Sequence, residues 1–404
     1  MDDPEAFLRS LFSTAVAAAS DFSMIPGLIP RTRGRVRVLA AGKAAAGMAA
    51  AIEAAPPDWL RRGQMDGLVV TPASHDLPLT RFEVMIAAHP VPDVASARAG
   101  ERMLALAAEL EADDLLVALV SGGASALLAA PVEGLTLEDE IALNRSLLVA
   151  GLPIAMMNAA RARVSRIKSG GLARAAWPAT VTTFVVSDVP GDDPALIGSG
   201  PTLAPESLEL DASILRLLPD FGAVVPSPLP QVAVHVLATG RDALVAAEKE
   251  AARHGLAVVN LGADLQGEAR ALGQEHAALV RELAGGSTPT LVLSGGETTV
   301  SVVGSGRGGR NTEYLAALMT AIGSGGQVWA IAADTDGLDG TGPAAGAVLR
   351  PDSLERARAL GLDVASMIAA NDTLGVFMTL DDLVVTGPTR TNVNDFRAVL
   401  VLPS

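Results

Sequence analysis

A chain of 404 residues, half of them hydrophobic but only 3% aromatic, is too long for one ordinary core and points to two or three domains built from Ala, Val, Leu and Ile. With no cysteine, disulfides and thiolate metal sites are excluded, and a net charge of −15 argues against a nucleic-acid footprint. The start, Met-Asp-Asp-Pro-Glu-Ala, lacks the basic and apolar regions of a signal peptide, and the Ala-rich stretches 44–55 and 124–130 are too short to span a bilayer, so the expectation is a cytoplasmic protein with no membrane partner.

Apolar runs alternate with helical patterns along the chain. A helix over 5–20 leads to a strand at 35–40, a helix at 44–54 and strands at 67–71 and 83–88. Next come a helix at 94–112, a strand at 115–120, helices at 137–149 and 154–166, and a strand at 180–186. Beyond a Pro-rich segment at 203–230 follow strands at 231–237, 256–261, 289–294, 327–332 and 396–402. Helices at 241–254, 266–284, 310–323 and 352–361 lie between them. Near-continuous apolar strands joined by helices mean parallel sheets covered on both faces. The Pro-rich segment sets the expected domain boundary, with a Rossmann-like domain at 1–230 and a second α/β domain at 231–404.

Lys43 follows the first strand, in Ala41-Gly42-Lys43-Ala44, and is one of three lysines beside 27 arginines. A compact ammonium in a strand–turn–helix setting suits a phosphoryl or carboxylate oxygen. A strand-ending turn with Lys43 in water fits the same residues. The spacing is neither a dinucleotide fingerprint nor a Walker loop. Ligands in open α/β sheets bind beyond the carboxyl ends of strands, and four further strand exits carry Gly with hydroxyls or carboxylates. These are Ser121-Gly122-Gly123-Ala124-Ser125, Ser187 to Asp193, Ser294 to Thr298 and Asp334 to Gly340. Asn158, Arg161, Ser165 and Lys168 recur at helical spacing, either lining a cleft or forming a solvated face. Asp188, Asp192 and Asp193 share one loop, and Asp336 and Asp339 another, where each can be a hard-cation ligand or a turn residue. The Gly-rich run 304–309 before Arg310-Asn311 reads as an anion cradle. A cation at a helix start is unfavourable without an anion nearby, so replacing Arg310 is expected to stabilise the unliganded chain slightly. The five histidines show no metal spacing.

Taken in order, these segments resemble the glycerate 2-kinase family, two-part proteins with a C-terminal MOFRL segment. The stretches that carry the resemblance are Ala41 to Ala44, His89-Pro90-Val91-Pro92-Asp93, Ser121 to Leu127, Ser187 to Asp193 with Gly198 to Thr202, Ser294 to Thr298, Gly308 to Asn311, Asp334 to Gly340 and Thr386 to Asp395. The resemblance implies ATP-dependent phosphorylation of D-glycerate to 2-phosphoglycerate, with the active site in the interdomain cleft. It implies that Lys43 and Arg310 are needed for activity, with Asp188 as a further catalytic candidate. Gly42, Ser121, Gly122, Gly123, Ser125, Lys168, Ser199, Gly200, Glu297, Asn311, Thr389 and Asn392 become candidates for binding substrate or nucleotide, and Asp192 and Asp336 for Mg2+. Three positions depart from the family pattern: Ser169 and Arg390 stand where Gly is usual, and Thr312 where Gln is. The rival readings are an NAD(P)H-dependent hydroxypyruvate reductase and a non-catalytic sugar-acid sensor. A homo-oligomer is compatible with the sequence.

Overall fold

The computed structural model describes residues 1–61, 63–150, 154–205, 210, 212–219, 229–324, 326–340 and 342–403. Within the expected linker, residues 206–209, 211 and 220–228, with Pro226 and Pro228, lie outside the described residues. The chain divides into two compact units, one of residues 21–237 and one of residues 1–20 with 238–404.

In the first unit six strands form a sheet: β1 (Val36–Ala41), β2 (Met65–Thr71), β3 (Glu83–Ile86), β4 (Leu115–Val120), β5 (Thr180–Val186) and β6 (Val232–Ala238), in the order β3-β2-β1-β4-β5-β6. β1 pairs in parallel with β2 and β4, as β2 does with β3 and β4 with β5. Every residue of β1 and β4 is buried, as continuous apolar runs covered on both faces should be. The one charged exception, Arg37 in β1, reaches the sheet margin, where Asp66 (2.7 Å) and Glu109 (2.9 Å) take its guanidinium. The chain leaves β1 for β2 on one side and later adds β4 on the other. That makes the carboxyl ends of β1 and β4 the switch point, where an open α/β sheet binds its ligand.

The second sheet comprises β7 (Ala257–Asn260), β8 (Thr290–Gly296), β9 (Val328–Asp334), β10 (Gly346–Leu349), β11 (Leu383–Val384) and β12 (Asp395–Val401), in the order β11-β10-β9-β12-β8-β7. It is mixed rather than parallel: β7 and β8 are parallel, whereas β12 runs antiparallel to both β8 and β9, and β10 is antiparallel to β9. The register sets Asp395, the first residue of β12, opposite Gly296 of β8 and Asp334 of β9. One end of this sheet therefore collects three loops side by side.

Two boundaries differ from expectation. The helix Pro4–Ala19 buries Leu8, Leu11, Phe12, Ala15 and Ala19, a stripe at helical period, and that stripe packs in the second unit. Phe12 lies 5.9 Å from Phe396 between ring centroids, and Thr391 Oγ1 donates to Ala19 O at 2.7 Å. The strand at 232–238 adds to the first sheet instead of opening the second. An amphipathic stripe or an apolar strand says that it must be covered, not by which core. The helix expected over 154–166 ends at Arg163, because Ser165 bridges to Pro131. β10, β11 and the helices Val364–Ala369 and Thr373–Leu380 are too short to show a period. Among the described residues no helix is long and apolar enough to cross a membrane.

Candidate functional site

In the first unit the Lys43 turn is fixed by its neighbour strand. Ser121, just past β4, is buried, and its Oγ accepts the Ala44 N–H at 2.9 Å. Lys43 N–H donates to Gly122 O at 2.9 Å and Gly42 N–H to Val70 O at 3.1 Å. Gly42 has φ 124, and a Cβ there would lie 2.2 Å from Ser121 Oγ, so glycine is required twice over. Gly123 has φ 87. A Cβ there would lie 3.1 Å from His89 Cδ2, 3.3 Å from His89 Nε2 and 3.7 Å from Lys43 Cγ. His89 and the Lys43 stem thus flank the open face of the Ser121-Gly122-Gly123 turn at the switch point. His89 belongs to a stretch that carries the resemblance but is not among the site candidates, because histidine spacing points to no metal.

A second polar group lies beside this turn. Ser199, with φ 62, places Oγ 2.8 Å from Ser125 Oγ and donates to Asn158 Oδ1 at 3.0 Å. Asn158 Nδ2 donates to Leu196 O at 3.1 Å, and Arg161 bonds Asn158 Oδ1 (3.1 Å) and Asn144 Oδ1 (2.6 Å). Gly200, with φ 57, accepts from Gly170 N–H at 2.7 Å. Lys168 stands differently from expectation. It lies in the turn after the helix, not on its face, and at 3% exposure its ammonium donates to Glu140. Burial lowers the Lys168 pKa while Glu140 opposes that shift. Its charge is taken up inside the protein, which argues against Lys168 as a clamp for a substrate carboxylate. Gly170, with φ 80, begins the short helix Gly171–Ala175.

The Asp loop after β5 holds Asp188 and Asp192, with Asp192 at φ 56, while Asp193 Oδ1 closes a local turn on Ala195 N–H at 2.9 Å.

In the second unit the expected anion cradle already holds an anion of the protein's own. Asp339 Oδ1 accepts Asn311 N–H and Oδ2 accepts Thr312 N–H, each at 3.0 Å, at the start of the helix Arg310–Ile322. Thr312 Oγ1 accepts the Gly309 N–H at 3.0 Å, a capping role that a longer residue at this position would also serve. Burial pushes the Asp339 carboxyl above the usual carboxylate range, against the two backbone bonds. Arg310 likewise has its counterions: Nε donates to Asp395 Oδ1, Nη1 to Glu297 Oε1 and Nη2 to Asp334 Oδ2, all at 2.7 Å. Burial works against its charge, but Asp395, Asp334 and Glu297 outweigh it and hold the guanidinium well above its ordinary range. The expectation that replacing Arg310 stabilises the unliganded chain is therefore overturned, since the change would strand buried carboxylates.

The remaining candidates knit the loops around this cage. Asp336 Oδ1 accepts Leu338 N–H at 2.8 Å, and Thr389 N–H donates to Asp336 O at 3.0 Å. Asn392 Oδ1 accepts Asn394 N–H at 3.2 Å, and Val393 N–H reaches Thr335 Oγ1 at 2.9 Å. Arg390 has φ 63, which explains why glycine suits that position; a side chain there costs roughly 1 kcal/mol. Asp334 and Asp395 lie in stretches that carry the resemblance but are not among the site candidates, since only the sheet register brings them to Arg310, and Arg397 reaches the cage through Asp395.

Among the described residues, no three His, Cys, Asp or Glu side chains are arranged to hold a metal. The convergent carboxylates Asp334, Asp395 and Glu297 already share the Arg310 guanidinium. Asp192 and Asp336 fall in different units.

Residues 7–232 match the family model described as Domain of unknown function (DUF4147), and residues 290–395 match the MOFRL family. A protein of Agrobacterium vitis provisionally named hydroxypyruvate reductase is 43% identical, over 98% of this chain and 94% of its own length. The D-glycerate 2-kinase of Thermotoga maritima is 31% identical over the whole of both chains. A crystal structure of glycerate kinase from the same organism superposes with a TM-score of 0.84 at 31% identity, covering 98% of this chain and 99% of that one. Full-length relatives at this identity, sharing the two-sheet architecture, establish that the chain is a kinase belonging to the glycerate kinase family.

Proposed function

We propose that the protein transfers the γ-phosphoryl group of ATP to the 2-hydroxyl of D-glycerate. The observation that carries this reading is Lys43, fixed by Ser121 and Gly122 at the switch point of a six-stranded sheet, where a ligand phosphate is expected. Phosphoryl transfer asks a protein mainly for positioning and charge compensation. Lys43 supplies one cation and Arg310 a second, and the backbone of Gly122 and Gly123 leaves room for close approach. Ser125, Ser199 and Asn158 offer hydroxyl and amide groups suited to a small polyol acid. Asp188 is the candidate to orient the attacking hydroxyl. Mg2+ enters as part of the nucleotide substrate, a mode in which one or two carboxylates suffice, with Asp192 and Asp336 as candidates. Choice of the 2-hydroxyl is supported by the name of the Thermotoga relative.

The reductase reading has the 43% relative's name in its favour. Against it, the turn after β1 lacks G-x-G-x-x-G, and β2 ends in buried Thr71, bonded to Gly42 O at 3.3 Å, where a ribose-binding acid would be needed. The test is incubation with D-glycerate, ATP and Mg2+, coupled to enolase. Phosphoenolpyruvate should form without added phosphoglycerate mutase. A strict need for the mutase would overturn the 2-position, and oxidation of NADH by hydroxypyruvate in place of ADP release would overturn the kinase chemistry.

A further inference from the structure

Arg397 lies in the middle of the second sheet, fully buried, and belongs to none of the loops described above. It is two residues beyond Asp395 on β12, so both side chains leave the same face of the strand. Its Nη2 donates to Asp395 Oδ2 and to Thr298 Oγ1 (3.1 Å), and its Nη1 donates to Gly295 O (3.2 Å). The guanidinium carbon sits 5.4 Å from the centroid of the Tyr314 ring, and Tyr314 is in turn bonded through its hydroxyl to His276 Nδ1 at 2.8 Å. Asp395 is thereby gripped on both oxygens. Oδ2 belongs to Arg397, and Oδ1 accepts from Arg310 Nε and Asn311 Nδ2, each at 2.7 Å.

We infer that Arg397 is a positioning residue for Arg310, acting through Asp395, an inference that rests on the phosphoryl-transfer reading above. Two physical effects support it. The first is orientation: the planar guanidinium is itself fixed by Gly295 O and Thr298 Oγ1, so its bond to Oδ2 restrains the carboxylate and keeps the oxygen facing Arg310 in place. The second is charge. Asp334, Asp395 and Glu297 set against Arg310 leave an excess of two negative charges beside a group meant to meet a phosphoryl anion, and Arg397 reduces that excess to one. Being buried, Arg397 cannot touch substrate itself.

The two effects separate by substitution. Arg397→Lys keeps the charge and loses the fork. Arg397→Met loses both. In the full-length enzyme, Arg397→Lys should lower kcat roughly ten- to a hundredfold, as loss of a supporting partner behind a functional group does, with the KM for ATP nearly unchanged. Arg397→Met should in addition raise the KM for ATP. Tyr314→Phe, which keeps the ring under the guanidinium, should leave both constants within about twofold. A folded Arg397→Lys enzyme with wild-type kcat and KM would overturn the inference and reduce Arg397 to neutralising a buried acid. If Arg397→Met does not fold, the Lys variant decides alone. Wild-type protein is assayed first: no glycerate-dependent ADP release would sink the underlying reading and this inference with it, whereas an active wild type with an indifferent Lys variant sinks the inference only.

Discussion

Lys43 lies at a strand exit and Arg310 at a helix start, and the two regions hold their cations by different means. Around Lys43 the backbone turn itself is fixed, by Gly122 O, Val70 O and the Ser121 hydroxyl, with a glycine at φ 124. Around Arg310 the fixed groups are three carboxylates, each bonded to the guanidinium itself. The backbone bonds of the Lys43 turn do not depend on the side chain they present. A cation that neutralises buried acids is part of the core as well as of the site. Similar chemistry should therefore give different stability signatures.

The contrast is sharpest at Arg310. Arg310→Ala should abolish turnover and also destabilise the chain by on the order of 3 kcal/mol, the lower part of the range for breaking a buried ion pair, because Asp395 keeps Arg397 and Asn311 as partners. Denaturant unfolding beside a kinase assay reads both. A variant as stable as wild type would show that the carboxylate cage carries no folding energy. Lys43→Ala should cost about a hundredfold or more in kcat while moving the unfolding free energy by less than about 1 kcal/mol. Lys43→Arg should restore only part of the rate, since a planar fork replaces a point charge. Near-normal turnover in Lys43→Ala would break the comparison at its other end.

The legibility of the two regions differs for the same reason. The Lys43 turn is local: a strand, a glycine and a rare lysine stand next to each other, β4 announces itself as an unbroken apolar run, and β1 and β5 are interrupted only by Arg37 and by threonines. The Arg310 cage is assembled from residues 297, 310, 334 and 395, which meet only because β12 runs antiparallel between β8 and β9. Alternation of strands and helices suggests parallel sheets and gives no hint of that reversal. The Gly-rich loop was read correctly as leading into a helix, but its anion proved to be Asp339, thirty residues along the chain. Lys168 stands at helical spacing from Asn158, Arg161 and Ser165, yet its buried partner Glu140 sits on a separate helix, beyond any local pattern.

The support behind the cage should show itself in pH dependence. His276, buried against Tyr314, has its pKa lowered to about 4 by desolvation, with Arg397 adding to the shift. The unfolded chain binds a proton at this residue below about 6.5 and the folded chain does not until about 4, so the contribution is present above 6.5 and lost as pH falls through that window. At pH 5 the loss should reach on the order of 2 kcal/mol. Comparison of urea unfolding of His276→Gln and wild type at pH 7.5 and pH 5 tests this. The wild type should lose stability faster on acidification, and parallel losses would place His276 outside the pH response.

Ser121 offers the smallest effect on turnover and the cleanest choice between two roles. Its position in a Ser-Gly-Gly turn at the switch point suits a hydroxyl that touches a nucleotide, whereas its buried Oγ is occupied by the Ala44 N–H at 2.9 Å. Ser121→Ala removes that acceptor and leaves a buried backbone donor unpaired, which costs about 1–3 kcal/mol. Ala44 is the residue after Lys43, so the same change loosens the turn that aims the ammonium. A positioning role predicts lower stability and a severalfold fall in kcat, with the KM for ATP unchanged. A nucleotide-binding role predicts a raised KM for ATP and unaltered stability. The existing bond to Ala44 favours the first outcome, and a pure KM effect would move Ser121 from the support of Lys43 to the surface that meets the ligand.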